Sequence, residues 1–82
     1  MKVHLRERDG ANCWLCQRPI PDGKASIEHL KSRFEGGTDD ESNLVLCHAG
    51  CNIHLGSRPL ERKIRMRVRW LRNLVRQRQV AP

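Results

Sequence analysis

Two cysteines with two residues between them, Cys13 and Cys16, constrain this chain most, because 82 residues leave little apolar surface for a core. Only three aromatic residues, Trp14, Phe34 and Trp70, are present to fill that core. Four cysteines and four histidines could instead bind a metal. We therefore expect a single domain that is stabilised by a bound metal in addition to hydrophobic packing.

The second half of this metal site lies near residue 50, where two ligand pairs can be drawn. Cys47 and Cys51 have three residues between them, whereas His48 and Cys51 repeat the two-residue spacing of Cys13 and Cys16. We predict a tetrahedral Zn²⁺ site of Cys13, Cys16, His48 and Cys51, with Cys47 as a small buried residue. A site with Cys47 in place of His48 is the alternative. Three thiolates and one histidine leave no open coordination position, so the zinc would be structural.

The chain has no apolar run near the roughly 20 residues that cross a bilayer. Residues 1–10 also lack the apolar stretch that is typical of a signal peptide. We expect a cytoplasmic protein with no membrane partner. In that reducing compartment, paired cysteines favour a metal site over disulfide bonds.

Turn-forming residues divide the first part of the chain into short elements. A helix is predicted over residues 2–8, and alternation with β-branched residues predicts a strand over residues 25–30. A polar connection, residues 31–42, leads to a second strand over residues 43–47. A helix then runs from residue 49 or 50 to residue 56. This order predicts an irregular β-hairpin followed by a helix.

Positive charge is concentrated in the last third of the chain. Residues 58–82 carry nine of the sixteen Lys and Arg residues and one acidic residue, Glu61, whereas residues 1–57 carry seven basic and eight acidic residues. A net charge of +7 on so small a chain indicates a polyanionic partner. We interpret 1–57 as a core and 58–82 as a basic helix of the same single domain.

A long helix is predicted from Pro59 to residue 77 or beyond, since Pro and Glu suit a first helical turn. At 100° per residue, one apolar stripe is expected to pack on the core: Leu60, Ile64, Val68, Leu71 and Val75. This apolar side is widened by three residues and interrupted by two cations: Met66, Trp70, Leu74, Lys63 and Arg67. A second stripe holds only arginines, which we expect to contact nucleic-acid phosphates: Arg62, Arg65, Arg69, Arg72 and Arg76. The breadth of the apolar side leaves open a homodimer or a larger protein partner.

Five sequence features follow one another in order: Cys13–Cys16, Glu28-His29, Gly36-Gly37 with Asp39-Asp40, Asn43-Leu44, and Cys51-Asn52. Each feature alone is common, but the ordered set resembles the HNH nuclease family. The resemblance spans residues 8–56. It supports His48, because the family usually has its third zinc ligand five residues after the asparagine of Asn-Leu. It implies an α+β fold, a small zinc-stapled ββα-metal domain, followed here by the long basic helix.

The resemblance also implies which residues carry the reaction. His29 would be the catalytic base, Asn43 would hold the loop or the imidazole in place, and Glu28 and Asn52 would bind a catalytic cation. The family commonly has Asp or His at the position of Glu28, and many members have His at the position of Asn52. Because both side chains here offer an oxygen to a hard cation, Mg²⁺ or Mn²⁺ fits better than zinc. We assign no catalytic role to the glycines and aspartates between the strands.

Elementary chemistry supports these roles. Phosphodiester hydrolysis needs a base that takes a proton from water and a cation that neutralises charge on the phosphate and on the leaving 3′ oxygen. Imidazole is largely neutral at pH 7 and can take that proton. One difficulty is that consecutive residues of an ideal strand, here Glu28 and His29, point to opposite faces. The resemblance implies an irregular strand that brings both side chains to one site.

We therefore predict a metal-dependent endonuclease that acts on nucleic acid, DNA in particular, and leaves a 5′ phosphate and a 3′ hydroxyl as the resemblance implies. The alternative is a zinc-stapled nucleic-acid-binding module without catalysis. Retention of the histidine, of Asn43 and of an oxygen ligand at both metal-binding positions favours the enzyme.

Overall fold

The computed structural model describes the backbone of residues 1–80 and the side chains of residues 1–77. Two strands and three helices follow one another: α1, Lys2–Asp9; β1, Ala25–His29; β2, Leu44–His48; α2, Ala49–Leu55; and α3, Leu60–Val80. The predicted α+β architecture and the predicted order of elements are confirmed. The last two residues of the predicted segment 58–82 lie outside the described residues. None of the helices described is both long enough and apolar enough to cross a membrane.

The strands β1 and β2 form an antiparallel hairpin with uninterrupted register. Ala25, the first residue of β1, pairs with His48, and His29, the last residue of β1, pairs with the first residue of β2. The connection contains two short 3-10 turns, Arg33–Glu35 and Glu41–Asn43. The hairpin therefore separates two sites: His29 lies at its loop end, and His48 lies at its other end.

A small hydrophobic core lies among α1, the cysteine turn, the hairpin and α2. Its buried aliphatic residues are Leu5, Leu15, Ile20, Leu44, Val45, Leu46 and Leu55. Arg8 ties α1 to the hairpin, because its guanidinium donates to the carbonyls of Glu41 and Leu44, each at 2.7 Å. So small a core gives limited stability by itself.

The face of α3 that packs on this core is not the expected apolar stripe. The described side chains on the packed face are Lys63, which is fully buried, and the half-buried Met66, Arg67, Trp70 and Leu74. The stripe predicted to be buried is mostly exposed, since Ile64, Val68, Leu71 and Val75 are 39% to 50% accessible. That part of the sequence interpretation was wrong.

Cationic side chains explain the different docking of α3. The Arg67 guanidinium lies 5.1 Å from the centre of the Trp14 ring, and its Nε donates to the Trp14 carbonyl at 2.7 Å. Arg18 lies 5.8 Å from the centre of the Trp70 ring. Cations are attracted to the faces of aromatic rings, and their aliphatic stems bury well. Lys63 and Arg67, which had been taken as interruptions of the apolar side, therefore belong to the packed face.

The position of Phe34 also differs from the expectation. It was one of three aromatic residues available for the core, but its side chain is 91% exposed in the turn after β1. The other two, Trp14 and Trp70, are partly buried against the core as expected.

Candidate functional site

The first two metal ligands lie in a tight turn that follows α1. The Cys13 amide donates to the Arg18 carbonyl at 2.9 Å, and the Gln17 amide donates to the Cys13 carbonyl at 3.0 Å. Gln17 has a φ of 66°, in the left-handed region that a side chain disfavours. Its Nε2 donates to the Trp14 carbonyl at 2.7 Å, which holds this conformation.

Four potential ligands come together between this turn and the start of α2. The ligand atoms of Cys13, Cys16, His48 and Cys51 all lie within 4.8 Å of one another. His48 Nδ1 is 3.4 Å from Cys16 Sγ and 3.9 Å from Cys51 Sγ. His48 Nε2 lies 3.0 Å from the Pro19 carbonyl. A proton on Nε2 that is donated to this carbonyl leaves Nδ1 free to bind metal, as in most metal-binding histidines.

Cys47 is fully buried beside this cluster but does not belong to it. Hydrogen bonding by the Cys47 thiol lowers the pKa of Cys13, and the same contact is the main cause that raises the pKa of Cys47. These pKa directions favour a protonated Cys47 beside an ionised Cys13, whereas a cysteine that binds zinc must be a thiolate. The geometry groups His48, and not Cys47, with the other three residues.

The donor set of this cluster fits zinc. Burial raises the pKa of Cys51, and the negative charge of Cys13 raises it further. Neighbouring thiolates repel one another, and a divalent cation between them removes that repulsion and keeps them deprotonated. Three sulfurs and one imidazole nitrogen around a single point match a closed tetrahedral zinc site.

At the opposite end of the hairpin, His29 contacts a residue of the connecting loop. Its Nε2 lies 2.7 Å from Asp39 Oδ1, and the Arg33 guanidinium donates to the same oxygen at 3.0 Å. The hydrogen bond with His29 lowers the pKa of Asp39, and Arg33 lowers it further. The carboxylate is therefore ionised at neutral pH and can accept a proton from Nε2. In that tautomer, His29 Nδ1 carries the free lone pair.

Asn43 holds the two ends of the loop together. Its Oδ1 accepts from the Lys31 amide at 2.8 Å, and its Nδ2 donates to the carbonyls of Lys31 at 3.0 Å and Thr38 at 2.8 Å. The backbone amide of Leu30 donates to the Asn43 carbonyl at 2.9 Å. Of the two roles considered for Asn43, these contacts correspond to holding the loop.

Glu28 points away from this loop and towards α3. Its side chain is buried, and Lys63 Nζ lies 3.7 Å from its Oε1. The same ammonium donates to the His29 carbonyl at 2.7 Å. Burial raises the pKa of Glu28, and the charge of Lys63 opposes that effect. Because the register of β1 is uninterrupted, the strand irregularity that the resemblance implied is not present, and Glu28 and His29 face opposite sides.

Glu28 and Asn52 nevertheless have the donor chemistry for a hard cation. Asn52 Nδ2 donates to Ser26 Oγ at 2.6 Å and to the Ile27 carbonyl at 3.0 Å. Alternation along β1 places Ser26 and Glu28 on one face of the hairpin, so Asn52 reaches the Glu28 side. Within the described part of the chain, the buried Glu28 Oε2 has no hydrogen-bond partner, and a bound cation would supply a contact for it. Lys63, however, already neutralises part of this carboxylate charge.

The arginine stripe of α3 is exposed, as expected. Among the described residues, none of its five members forms an ion pair with an acidic side chain. A groove of about 330 Å³ between α2 and α3 is lined by His54, Arg58, Arg62, Arg65, Met66 and Arg69. The Arg58 guanidinium donates to the His54 carbonyl at the end of α2. This groove presents several unpaired guanidinium groups to solvent.

Two residues of these sites were missed by the sequence analysis. Asp39 had been assigned no catalytic role, although its place in an acidic run between the strands was a signal that it could reach the end of β1. Lys63 had been taken as an interruption of an apolar face. Its only signal was a cation on the side of the helix that also carries Met66 and Trp70.

Comparison with known proteins adds to this geometry. The sequence model of the HNH endonuclease family matches residues 13–58, from the cysteine turn through the hairpin to the end of α2. No curated protein sequence matches the chain. A solved type II restriction endonuclease has a similar fold, with a TM-score of 0.50 and 19% identity over 98% of this chain. This chain spans only 40% of that protein. Since the family match covers more than half of its length, the chain belongs to the HNH endonuclease family.

Proposed function

We propose that this chain is a metal-dependent endonuclease that hydrolyses phosphodiester bonds in nucleic acid, and in DNA in particular. The observation that carries the proposal is the His29–Asp39 pair at the loop end of the hairpin, with Nε2 and Oδ1 2.7 Å apart. A histidine oriented by a carboxylate is well suited to take a proton from water, because the carboxylate fixes the tautomer and stabilises the imidazolium that forms. The fold neighbour is itself an endonuclease, although the likeness to it is one of fold alone.

In the proposed reaction, His29 Nδ1 takes a proton from water, and the resulting hydroxide attacks phosphorus. The bond from phosphorus to the 3′ oxygen then breaks, and the oxygen leaves with the electron pair and takes a proton from solvent. The products are a 5′ phosphate and a 3′ hydroxyl. The Asp39 carboxylate keeps the imidazole in the required tautomer and stabilises the imidazolium that forms.

Glu28 and Asn52 are the residues that we propose hold the catalytic cation, Mg²⁺ or Mn²⁺. Because Glu28 and His29 face opposite sides of β1, the scissile phosphate would have to lie at the loop end of the strand to contact both groups. When bound, such a cation neutralises charge on the phosphate and on the leaving oxygen. The zinc cluster of Cys13, Cys16, His48 and Cys51 lies at the other end of the hairpin, so we propose a structural role for it. Asn43 acts by fixing the loop that carries Asp39.

The arginine stripe supports nucleic acid as the substrate. Arg62, Arg65 and Arg69 line the groove beside α2, and unpaired guanidinium groups are strong donors to phosphate oxygens. Arg72 and Arg76 continue the stripe along α3. We propose that these five residues bind the sugar-phosphate backbone and position it without reading base sequence. A homodimer or a larger protein partner through the exposed apolar residues of α3 stays a prediction.

One observation favours a second candidate function, a nucleic-acid-binding module without catalysis. The Lys63 ammonium lies beside the Glu28 carboxylate and can replace a cation as its neutralising charge. If that ion pair excludes a metal, the chain would bind nucleic acid and leave it intact.

Incubation of the zinc-loaded protein with plasmid DNA separates the two functions. Mg²⁺ or Mn²⁺ is supplied or omitted rather than chelated, so that zinc is retained, and relaxed and linear products are quantified. We expect cutting only with added metal, and a loss of about 100-fold to 10,000-fold in rate for His29→Ala with binding preserved. His4→Ala, which alters an exposed histidine of α1, is the matched control. Binding without cutting in every metal would support the module and contradict the nuclease.

A further inference from the structure

Phe34 is the most exposed large apolar residue described, at 91%, and it lies in the loop that carries Asp39. The two tryptophans pack against arginine side chains and the core, whereas no such contact from the described residues covers the Phe34 ring. Contact with another flat apolar surface lowers the free energy of an aromatic ring in water. The exposed Phe34 ring is therefore available to contact a ligand.

The loop presents Phe34 in one fixed position. The Ser32 carbonyl accepts from the amides of Glu35 at 2.9 Å and Gly37 at 2.8 Å, and Ser32 Oγ accepts from the Glu35 amide at 3.3 Å. Gly36 has a φ of 86°, and a Cβ on Gly37 would lie 1.7 Å from the Lys31 carbonyl oxygen. With Asn43 joining the two loop ends, little conformational entropy would be lost when the ring binds a ligand.

Phe34 also directly follows a residue that contacts the proposed reaction centre. Arg33, its neighbour in sequence, donates to the Asp39 oxygen that contacts His29. A nucleotide whose phosphate reaches His29 therefore has a base near this turn. The exposed side chains of Lys31 and Arg33 both precede Phe34 in sequence. Lys31 adds positive charge for a flanking phosphate, whereas Arg33 is paired with Asp39.

The chemistry around the ring favours a nucleobase over a protein surface. Phe34 is the only residue with an apolar side chain in segment 31–42, so it forms no apolar patch of the size that protein interfaces use. A single exposed aromatic ring offers the flat face on which proteins stack the bases of nucleic acid. An apolar side chain of this kind can also enter between two bases and unstack them.

We propose that Phe34 stacks on a nucleobase next to the scissile phosphate, which makes it a positioning residue for the substrate. This inference rests on the proposed nuclease function. It implies a preference for nucleic acid in which a base near the cut is already unstacked, such as a single strand, a nick or a mismatch, because stacking on Phe34 then costs no base pair.

The test measures binding without added Mg²⁺ or Mn²⁺ to duplexes with a single nick, which sets the binding position, and with 2-aminopurine at successive positions around the nick. We expect wild type to quench one position, and Phe34→Ala to lose both that quenching and about 10-fold in affinity, the loss typical of one base–aromatic stack. Phe34→Trp should restore both. The dependence of affinity on salt should not change, since no charge is removed. Val3→Ala, an exposed apolar change on α1, is the matched control.

Equal affinity and equal quenching for wild type and Phe34→Ala, with wild type still cutting DNA, would overturn this inference alone. A lower sedimentation mass for Phe34→Ala, with nucleic-acid binding intact, would assign the ring to a contact between copies of the chain and also overturn it. If wild type neither binds nor cuts nucleic acid, both the inference and the proposed function fail.

Discussion

A single hydrogen bond, between His29 Nε2 and Asp39 Oδ1, determines which imidazole nitrogen is free to act as a base. Asp39 is ten residues further along the chain, so the loop between the strands must fold back for the pair to form. Asn43 holds the loop in this folded-back path by three hydrogen bonds between its side chain and the loop backbone. The orientation of His29 therefore depends on the loop as much as on β1.

Replacement of the Asp39 carboxylate by an amide tests this dependence. Asp39→Asn should slow cleavage about 10-fold to 100-fold, less than loss of the base itself, because an exposed carboxylate orients imidazole only partly. The measurement is the single-turnover rate on a saturating oligonucleotide. Asp40→Asn is the control, since the Asp40 side chain contacts only Thr38 among the described residues. Equal slowing by both variants would indicate a loss of loop structure rather than of His29 orientation.

At the scale of elements, the docking of α3 rests on a buried ion pair. Lys63 is fully buried, joins the Glu28 carboxylate and donates to the His29 carbonyl at 2.7 Å. The helix that carries half of the Lys and Arg residues is thus attached directly to the strand that carries the proposed base. A buried charge that loses its partner is costly, because water no longer solvates it.

Lys63→Met should therefore lower the free energy of unfolding by about 3–5 kcal/mol, because Glu28 is left buried and uncompensated. The double variant Glu28→Leu with Lys63→Met should lose much less free energy of unfolding than the two single variants lose in sum, since neither charge then remains buried. Urea unfolding at pH 7 measures each value. Lys24→Met, at an exposed lysine, is the control. Additive losses in the double variant would show that the two side chains are not coupled.

The arginine stripe is the second feature of α3 that can be tested as a unit. Replacing Arg65, Arg69 and Arg72 by Gln keeps helix propensity and removes three of the proposed phosphate contacts. The log–log slope of DNA affinity against salt should become shallower by about 2 to 3 units, and binding should weaken on every sequence. The fold should survive, because the packed face of α3 is untouched.

The matched control for the stripe variant replaces three exposed cations elsewhere in the chain by Gln: Lys2, Arg6 and Lys24. Fluorescence anisotropy over a range of salt concentrations gives both slopes. If both triple variants change the slope equally, the stripe is not the nucleic-acid surface and the net charge alone accounts for binding. An unchanged slope in the folded stripe variant would likewise remove these residues from the interface.

For the whole molecule, stability should depend on the Cys₃His cluster, which joins the N-terminal turn to the end of β2 and the start of α2. Cys16→Ser should abolish binding of the one expected zinc and the cooperative unfolding transition, because metal-binding energy is folding energy in so small a chain. Cys47→Ala should keep both. Metal content and thermal circular dichroism measure these outcomes. Zinc lost from Cys47→Ala but retained by His48→Ala would exchange the roles assigned to these two residues.

Much of the fold could be predicted because its signals are local. The ligand spacing around Cys16 and His48, the turn residues between the strands, and the exposed arginines of α3 all depend on residues close in sequence. These features led to the α+β architecture, the order of elements and the Cys₃His grouping. The HNH resemblance likewise rests on an ordered set of short motifs, and the family match covers the same region.

Contacts between residues distant in sequence decided the rest. Hydropathy assigned the buried side of α3 to Ile64 and Val68, but the folded chain buries Lys63, because Glu28 and the His29 carbonyl compensate its charge at that point. Pairing of Asp39 with His29 and exposure of Phe34 likewise follow from the path of the loop. The amino-acid sequence by itself determined which elements form and which side chains can bind zinc. Only the tertiary structure decided which face of α3 is buried and which carboxylate orients His29, since both depend on partners that local patterns do not specify.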